Sequence, residues 1–157
     1  MTLALLFPGQ GSQHVGMGRE LAAAFEDARA VFDEADRVLG FPLSELMWEG
    51  PEEELTATEN AQPAILTHSV AAYRVGRERL GAVGMAAGHS LGEFSAHVAA
   101  RTFSFADALE AVRLRGELMA SAGRTRPGTM AAVLGLPNER VEEVCREVET
   151  GVCVPAN

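Results

Sequence analysis

Gly88-His89-Ser90-Leu91-Gly92 is the stretch of this chain with the clearest chemical meaning. It matches Gly-x-Ser-x-Gly, the pattern of a nucleophile elbow. In such an elbow a strand turns sharply into a helix and holds a serine hydroxyl exposed at the bend. Small residues on either side let the backbone turn that tightly. The flanks agree: Val83 to Ala87 is a short apolar run fit for a buried strand, and Glu93 to Ala100 is fit for a helix. A plain glycine-rich turn shows the same five-residue pattern, so the flanks carry the distinction.

A serine hydroxyl is a poor nucleophile until a base takes its proton. The sequence holds four histidines, and none is well placed. His89 neighbours Ser90, and adjacent side chains on extended backbone face opposite ways, so it reads as a structural or pocket-wall residue. His97 would sit roughly 10 Å along the following helix, beyond hydrogen-bond reach. His68 lies within a helical stretch, and His14 within a glycine-rich loop that nothing positions. The base lies outside these residues, or the serine is not catalytic.

That loop, Gly9 to Gly18, follows an apolar strand and precedes a helix, as phosphate-binding turns do. It fails their tests: a dinucleotide fingerprint starting at Gly9 needs glycine where His14 stands, and the loop has no lysine for a P-loop. Gln10 between two glycines suits backbone that comes close to a ligand while a side-chain amide donates to it.

The helix expected after Ser104 carries the other chemical signal. Phe105, Ala108, Leu109, Ala111, Val112, Leu118 and Met119 fall on one broad arc at helical spacing, and Arg115 falls inside it. Arg113 falls on the opposite side with Glu110 and Glu117, as a solvated charge in surface ion pairs. A guanidinium among apolar groups needs an anion. Helix geometry leaves two readings: an internal carboxylate or a snorkelling side chain, and a substrate carboxylate held by two parallel hydrogen bonds.

The elements that must hold these residues alternate along the chain. Leu3 to Phe7 reads as a buried strand, Arg19 to Leu39 as one helix stopped by Gly40, and Pro42 and Pro51 as openers of short helical turns. Pro63 to Leu80 reads as a second long helix with Ile65, Leu66, Ser69, Val70 and Tyr73 on its inner face. Ser104 caps the next helix, with Asp107 three residues on, and that helix is expected to end near Ser121. Gly123 to Gly128 is a break. Met130 to Leu134 reads as a strand, Asn138 to Val148 as a helix and Val152 to Val154 as a strand. This alternation predicts an α/β fold with a largely parallel sheet.

The chain has 157 residues, 47% hydrophobic and 22% charged, which suits one soluble domain. Its net charge of −9 argues against a nucleic-acid partner. No apolar run has the length of a membrane span, and Met1 to Phe7 lacks the basic start of a signal peptide. Cys145 and Cys153 read as reduced thiols in a cytoplasm, and no cluster at metal-ligand spacing appears.

Taken together, Phe7-Pro8-Gly9-Gln10-Gly11-Ser12-Gln13, Gln62-Pro63-Ala64, Gly88 to Glu93, Arg113-Leu114-Arg115-Gly116 and Met130-Ala131-Ala132-Val133 resemble a known family in order and spacing. It is that of the malonyl-CoA:acyl-carrier-protein transacylases and the acyltransferase domains of fatty acid and polyketide synthases. The resemblance covers essentially the whole chain, as the N-terminal portion of a typical member. It implies an α/β-hydrolase-like core with a parallel sheet, incomplete here, over residues 1–123. Over residues 124–157 it implies the start of a ferredoxin-like subdomain.

The resemblance also assigns roles. Ser90 takes the malonyl group from coenzyme A as an ester and passes it to the phosphopantetheine thiol of acyl carrier protein. Gln10 and the backbone N–H of Leu91 form the oxyanion hole. Arg115 pairs with the free malonyl carboxylate. His89, Gln62 and Met119 are pocket or motif residues, and leucine at 91 is the residue of malonyl-using members. Coenzyme A enters as a thioester substrate, with no cofactor or metal, in a cytoplasmic enzyme that is a monomer when complete and meets neither nucleic acid nor membrane. The carrier protein is acidic, so docking on a chain of net charge −9 would need a local basic patch, for which Arg124 and Arg126 are candidates. The family's catalytic histidine lies past Asn157, so the fragment alone is expected to be inactive. Arg101 stands where members commonly have glycine, which predicts local strain. Other readings remain: polyketide assembly in place of fatty acid synthesis, a non-catalytic remnant or partner subunit, and a hydrolase using water as acceptor.

Overall fold

A computed structural model of the chain describes residues 2–156. The fold divides after Arg126 into two units, and each is taken by itself. In the first, β1 (Leu3–Phe7) is followed by α1 (Arg19–Ala24), α2 (Glu26–Leu39), α3 (Leu43–Glu49), α4 (Glu52–Thr56) and α5 (Thr58–Gly76). Then come β2 (Val83–Gly88), α6 (Gly92–Ala99) and α7 (Phe105–Thr125). β1 and β2 pair in parallel with Phe7 opposite Gly88, which gives a mixed α/β architecture with a two-stranded parallel sheet among the described residues.

The core lies between the helices. Val31, Phe32 and Ala35 of α2, Ile65, Leu66 and Val70 of α5, and Leu109 and Val112 of α7 are at most 2% exposed and form one cluster with Leu43, Met47 and Leu55. Each of these side chains other than Ala35 contributes roughly 1.5–3 kcal/mol over its exposed state. α5 packs against α2, α6 and α7, and the inner face expected from its sequence is present, with only Tyr73 partly exposed.

Several elements depart from expectation. The single helix over Arg19 to Leu39 is two. Phe25 adopts extended backbone (φ −135°, ψ 123°), and the break places Glu26 and Asp27 in the first turn of α2, where they complement the helix dipole. α5 begins at Thr58, five residues before the expected Pro63, and Pro63 lies inside it. A proline there orphans the carbonyl four residues back. Arg113 resolves this: its Nη1 donates to the Glu59 carbonyl at 2.9 Å and to Asn60 Oδ1 at 2.8 Å. Arg113 is thus more than the solvated charge expected. It does pair with Glu117 at 2.6 Å, yet its side chain is only 26% exposed, and it lies 5.1 Å over the Phe41 ring.

The strands were expected to be buried, and they are not. Leu6 is 80% exposed and Met85 68%. Their composition is that of strands covered on both faces. α6 lies against both strands, and no described helix covers Leu6 and Met85 on the other face. α7 starts at the Ser104 cap, whose Oγ accepts from the Asp107 N–H at 3.1 Å, and runs to Thr125, past the expected end. Arg101 has φ 61°, the left-handed conformation in which an L-residue is strained.

The second unit contains α8 (Asn138–Glu147). Met130–Leu134 and Val152–Val154 are not strands: no ladder partner for either exists among the described residues, and an unpaired extended segment leaves its backbone groups to water. The Cys145 and Cys153 sulfurs are 3.6 Å apart as free thiols, and the hydrogen bond between them raises the Cys145 pKa above its ordinary value.

A cleft of about 840 Å³ in the first unit is lined by His14, Gly18, Arg19, Glu20 and His68, among others. Burial, and then the nearby His14, lower the His68 pKa below its ordinary 6.5. The fold therefore favours neutral His68, and the unfolded chain binds a proton first as pH falls. His68 contributes stability that is intact above about pH 6.5, declines below it, and stops declining once the folded form is protonated. Urea titrations at pH 7.5 and 5.5 should show lower stability at the acid end, with a smaller drop in His68→Gln. An equal drop in that variant would assign the effect elsewhere.

Candidate active site

The elbow forms as its pattern requires. β2 ends at Gly88 and α6 begins at Gly92. Ser90 sits between them at φ 55°, strained backbone for a non-glycine residue and the geometry that exposes a nucleophile. The two glycines are needed for close approach. A Cβ on Gly92 would lie 2.6 Å from the Phe7 carbonyl oxygen, and one on Gly88 would collide with the Gly92 backbone. The turn is fixed by His89 N–H donating to the Phe7 carbonyl at 3.1 Å and Gly92 N–H to the His89 carbonyl at 2.8 Å. Leu91 is fully buried, yet its own N–H has no hydrogen-bond partner among the described residues. An unsatisfied donor one residue past an exposed hydroxyl is what an oxyanion hole needs.

Arg115 reaches this turn from α7. Its Nη2 donates to Ser90 Oγ at 3.0 Å, and its Nη1 donates to Gln62 Oε1. The internal carboxylate left open by helix geometry is absent: both partners are neutral, and no acidic side chain pairs with Arg115 among the described residues. The expected apolar arc was too broad. Phe105, Ala108, Leu109, Val112 and Gly116 are the buried line of α7, whereas Ala111 is exposed and Leu118 is 62% exposed. Arg115 lies beside that line and is half-buried.

Gln62 is fully buried on α5. Its Nε2 donates to Thr58 Oγ1 at 2.8 Å and approaches Met119 Sδ at 3.3 Å, which brings Met119 to the site. Thr58 Oγ1 donates in turn to Gln10 Oε1 at 3.2 Å. Gln10 is held on a loop shaped by Ser12 Oγ donating to the Gly9 carbonyl (3.0 Å) and Gly11 N–H donating to Gln13 Oε1 (2.8 Å). Gln10, Thr58, Gln62, Arg115 and Ser90 thus form one continuous chain of side-chain hydrogen bonds.

His89 stands at the rim: a Cβ on Gly9 would lie 2.5 Å from His89 Nδ1, so that glycine makes room for the imidazole. No histidine bonds to Ser90 among the described residues. His97 faces Glu93 at 3.8 Å and the Phe103 ring at 5.0 Å, and His68 lies in the cleft with His14. No group of three or more His, Cys, Asp or Glu side chains could hold a metal ion among the described residues, and no described helix is long and apolar enough to cross a membrane.

Two contributors escaped the sequence reading. Thr58 lies ahead of the helix expected from Pro63, and helical spacing sets Arg113 among surface charges. Pro63 held the clue to Arg113: if the helix starts before the proline, some donor must meet the carbonyl that the proline cannot.

Residues 4–156 match the acyl transferase domain family. The chain is 50% identical over 146 residues to the malonyl CoA-acyl carrier protein transacylase of Bacillus subtilis (strain 168), covering 93% of this chain and 46% of that protein. It is 46% identical over 156 residues to the Escherichia coli (strain K12) transacylase of the same name, covering 98% of this chain and 50% of that one. The crystal structure of an acyl-carrier-protein S-malonyltransferase from Bartonella henselae superposes with a TM-score of 0.83 at 43% identity, over 93% of this chain and 48% of that one. A malonyl-transacylase in complex with a type II polyketide synthase acyl-carrier protein gives 0.83 at 45% identity, over 94% and 48%. The chain spans about half the length of the curated relatives it matches. With an elbow serine in a hydrogen-bonded chain and a match across nearly every residue, the chain belongs to the acyl transferase domain family.

Proposed function

We propose that these residues are the nucleophile-bearing portion of a malonyl-CoA:acyl-carrier-protein transacylase acting in fatty acid synthesis. The observation that carries this reading is a half-buried guanidinium with no counter-ion among the described residues, 3.0 Å from the elbow hydroxyl. In a malonyl thioester the carboxylate carbon stands two C–C bonds, of about 1.5 Å each, from the carbonyl carbon under attack. A cation touching the nucleophile is therefore at the right range to hold one end of the substrate while the serine attacks the other.

In the first half-reaction Ser90 Oγ adds to the thioester carbonyl as its proton passes to a base. Negative charge develops on the carbonyl oxygen, and the Leu91 N–H and the Gln10 amide donate to it. Collapse breaks the C–S bond, and the coenzyme A thiol leaves with a proton. In the second, the phosphopantetheine thiol of acyl carrier protein attacks the malonyl ester, and Ser90 regains its proton. The base is a histidine from a segment corresponding to the other half of the relatives. Arg115 cannot serve, since a guanidinium keeps its proton. The 157 residues alone are accordingly inactive in turnover.

The finer architecture proposed is a hydrolase-like core over residues 1–123 and the opening of a ferredoxin-like subdomain over 124–157. The enzyme is a cytoplasmic monomer without cofactor or metal, and it meets neither nucleic acid nor membrane. Arg124 and Arg126 are candidates for the carrier-protein contact. The relative bound to a polyketide carrier protein favours a second pathway, malonyl transfer in polyketide assembly, by the same chemistry.

Incubation of the intact enzyme with malonyl-CoA should produce a malonyl adduct by mass spectrometry that is absent in Ser90→Ala. An adduct that survives the substitution excludes Ser90 as nucleophile. Arg115→Ala should lower kcat/KM for malonyl transfer about ten- to hundredfold, the worth of a charge-assisted hydrogen bond, while changing acetyl transfer far less. Equal losses for both acyl groups would remove the carboxylate role.

A further inference from the structure

We propose that Cys145 and Cys153 form a redox-active dithiol that closes reversibly to an intramolecular disulfide by exchange with a low-molecular-weight disulfide. The proposal rests on the second unit alone and does not depend on acyl transfer. Cys145 lies in the last turn of α8, and Cys153 lies in the segment that follows. Between them Gly151 adopts φ 84°, a left-handed bend open to glycine. The two sulfurs meet at 3.6 Å, with the Cys153 thiol donating to Cys145 Sγ. A disulfide bond is about 2.05 Å long, so an approach of about 1.5 Å closes it. Small reagents can reach the pair: Cys153 is exposed, Cys145 is partly so, and no residue of α8 is buried.

Two other uses of paired thiols do not fit. A structural metal site needs about four ligands, and no group of three or more His, Cys, Asp or Glu side chains could hold an ion among the described residues. A permanent staple would stand closed, whereas both cysteines are free. In the reducing compartment proposed above the pair rests as thiols, and disulfides formed there are transient or redox-sensing. The segment it would fasten has little else to hold it: Val152 and Val154 are 92% and 67% exposed, with no ladder partner among the described residues.

The two thiols have different parts in the exchange. The hydrogen bond with Cys153, and further down the negative charge of Glu142, hold the Cys145 pKa above its ordinary 9.0, so Cys145 keeps its proton longer. Cys153, the more exposed sulfur, is the entry point. It gives its proton to solvent, and its thiolate attacks one sulfur of the reagent disulfide RS–SR. The S–S bond of the reagent breaks, and RS⁻ leaves with the electron pair and takes up a proton. Cys145 then loses its proton and attacks the Cys153 sulfur of the mixed disulfide. The protein disulfide forms as the second RS⁻ leaves and is protonated. Two protein thiols are oxidised by two electrons, and one reagent disulfide is reduced to two thiols. A dithiol reductant runs the sequence backwards.

The test is incubation of the intact enzyme with oxidised glutathione, alkylation of the remaining thiols, tryptic digestion and mass spectrometry. Arg146 lies between the two cysteines, so trypsin separates their peptides unless a disulfide joins them. Wild type should yield the two peptides as one cross-linked species without bound glutathione, and dithiothreitol should return both free. Cys145→Ser, which lacks the resolving thiol, should instead accumulate glutathione on Cys153. Unfolding in urea should lower the ratio of cross-link to mixed disulfide about tenfold, because the loop must then close against its own entropy. Glutathione on both wild-type cysteines with no cross-link overturns the proposal, as does a Cys145→Ser variant that takes up none. A cross-link that forms equally well in urea overturns it too, since nearness in sequence would then suffice without the fold.

Discussion

A guanidinium held among neutral partners is the constraint around which the site is built. Arg115 gives one nitrogen to a buried amide and another to the hydroxyl of the elbow, and no carboxylate meets it among the described residues. The proposed function assigns this half-buried cation an anion from outside, the carboxylate of a substrate. On the proposed reading, the guanidinium stands beside the elbow of an acyl transferase domain so that it can hold one end of a substrate. A substrate carrying a carboxylate would complete the ion pair as it presents its carbonyl to the serine.

The helices that position Arg115 show how little freedom the arrangement has. α5 and α7 cross closely at Gly116, which brings the first turn of α5 near the middle of α7. On one side of that contact Arg113 supplies the hydrogen bond that Pro63 denies to the Glu59 carbonyl. On the other, Arg115 reaches across Gln62 to the elbow. Two arginines two residues apart thus do different work: one secures the helix that carries Gln62, and the other uses Gln62 as a brace. The elbow comes from a separate part of the chain, where β1 and β2 pair and the close packing of Gly92 on the Phe7 backbone sets the height of Ser90.

What could be read in the sequence was whatever depends on local rules. The elbow was visible because glycine spacing and flanking patterns are short-range, and the Ser104 cap because side chain and backbone are three residues apart. Arg115 was visible because helical spacing places it beside buried neighbours. Features that depend on distant partners were not visible. The start of α5 lies before Pro63 because a guanidinium from α7 makes that tolerable. The bend at Phe25 is extended backbone inside a run that reads as one helix. The exposure of Leu6 and Met85 depends on which segments cover the sheet, and strand composition does not carry that information. Met130–Leu134 likewise reads as a strand from its residues and has no ladder partner among those described.

The most direct measurement is a crystal structure of the intact enzyme trapped as its malonyl ester on Ser90. The account predicts two charge-assisted hydrogen bonds from the Arg115 guanidinium to the malonyl carboxylate, each about 2.7–2.9 Å, with the ester carbonyl oxygen facing the Leu91 N–H. A malonyl carboxylate directed into solvent, with Arg115 still bonded only to neutral groups or paired to a carboxylate of the protein, would contradict it.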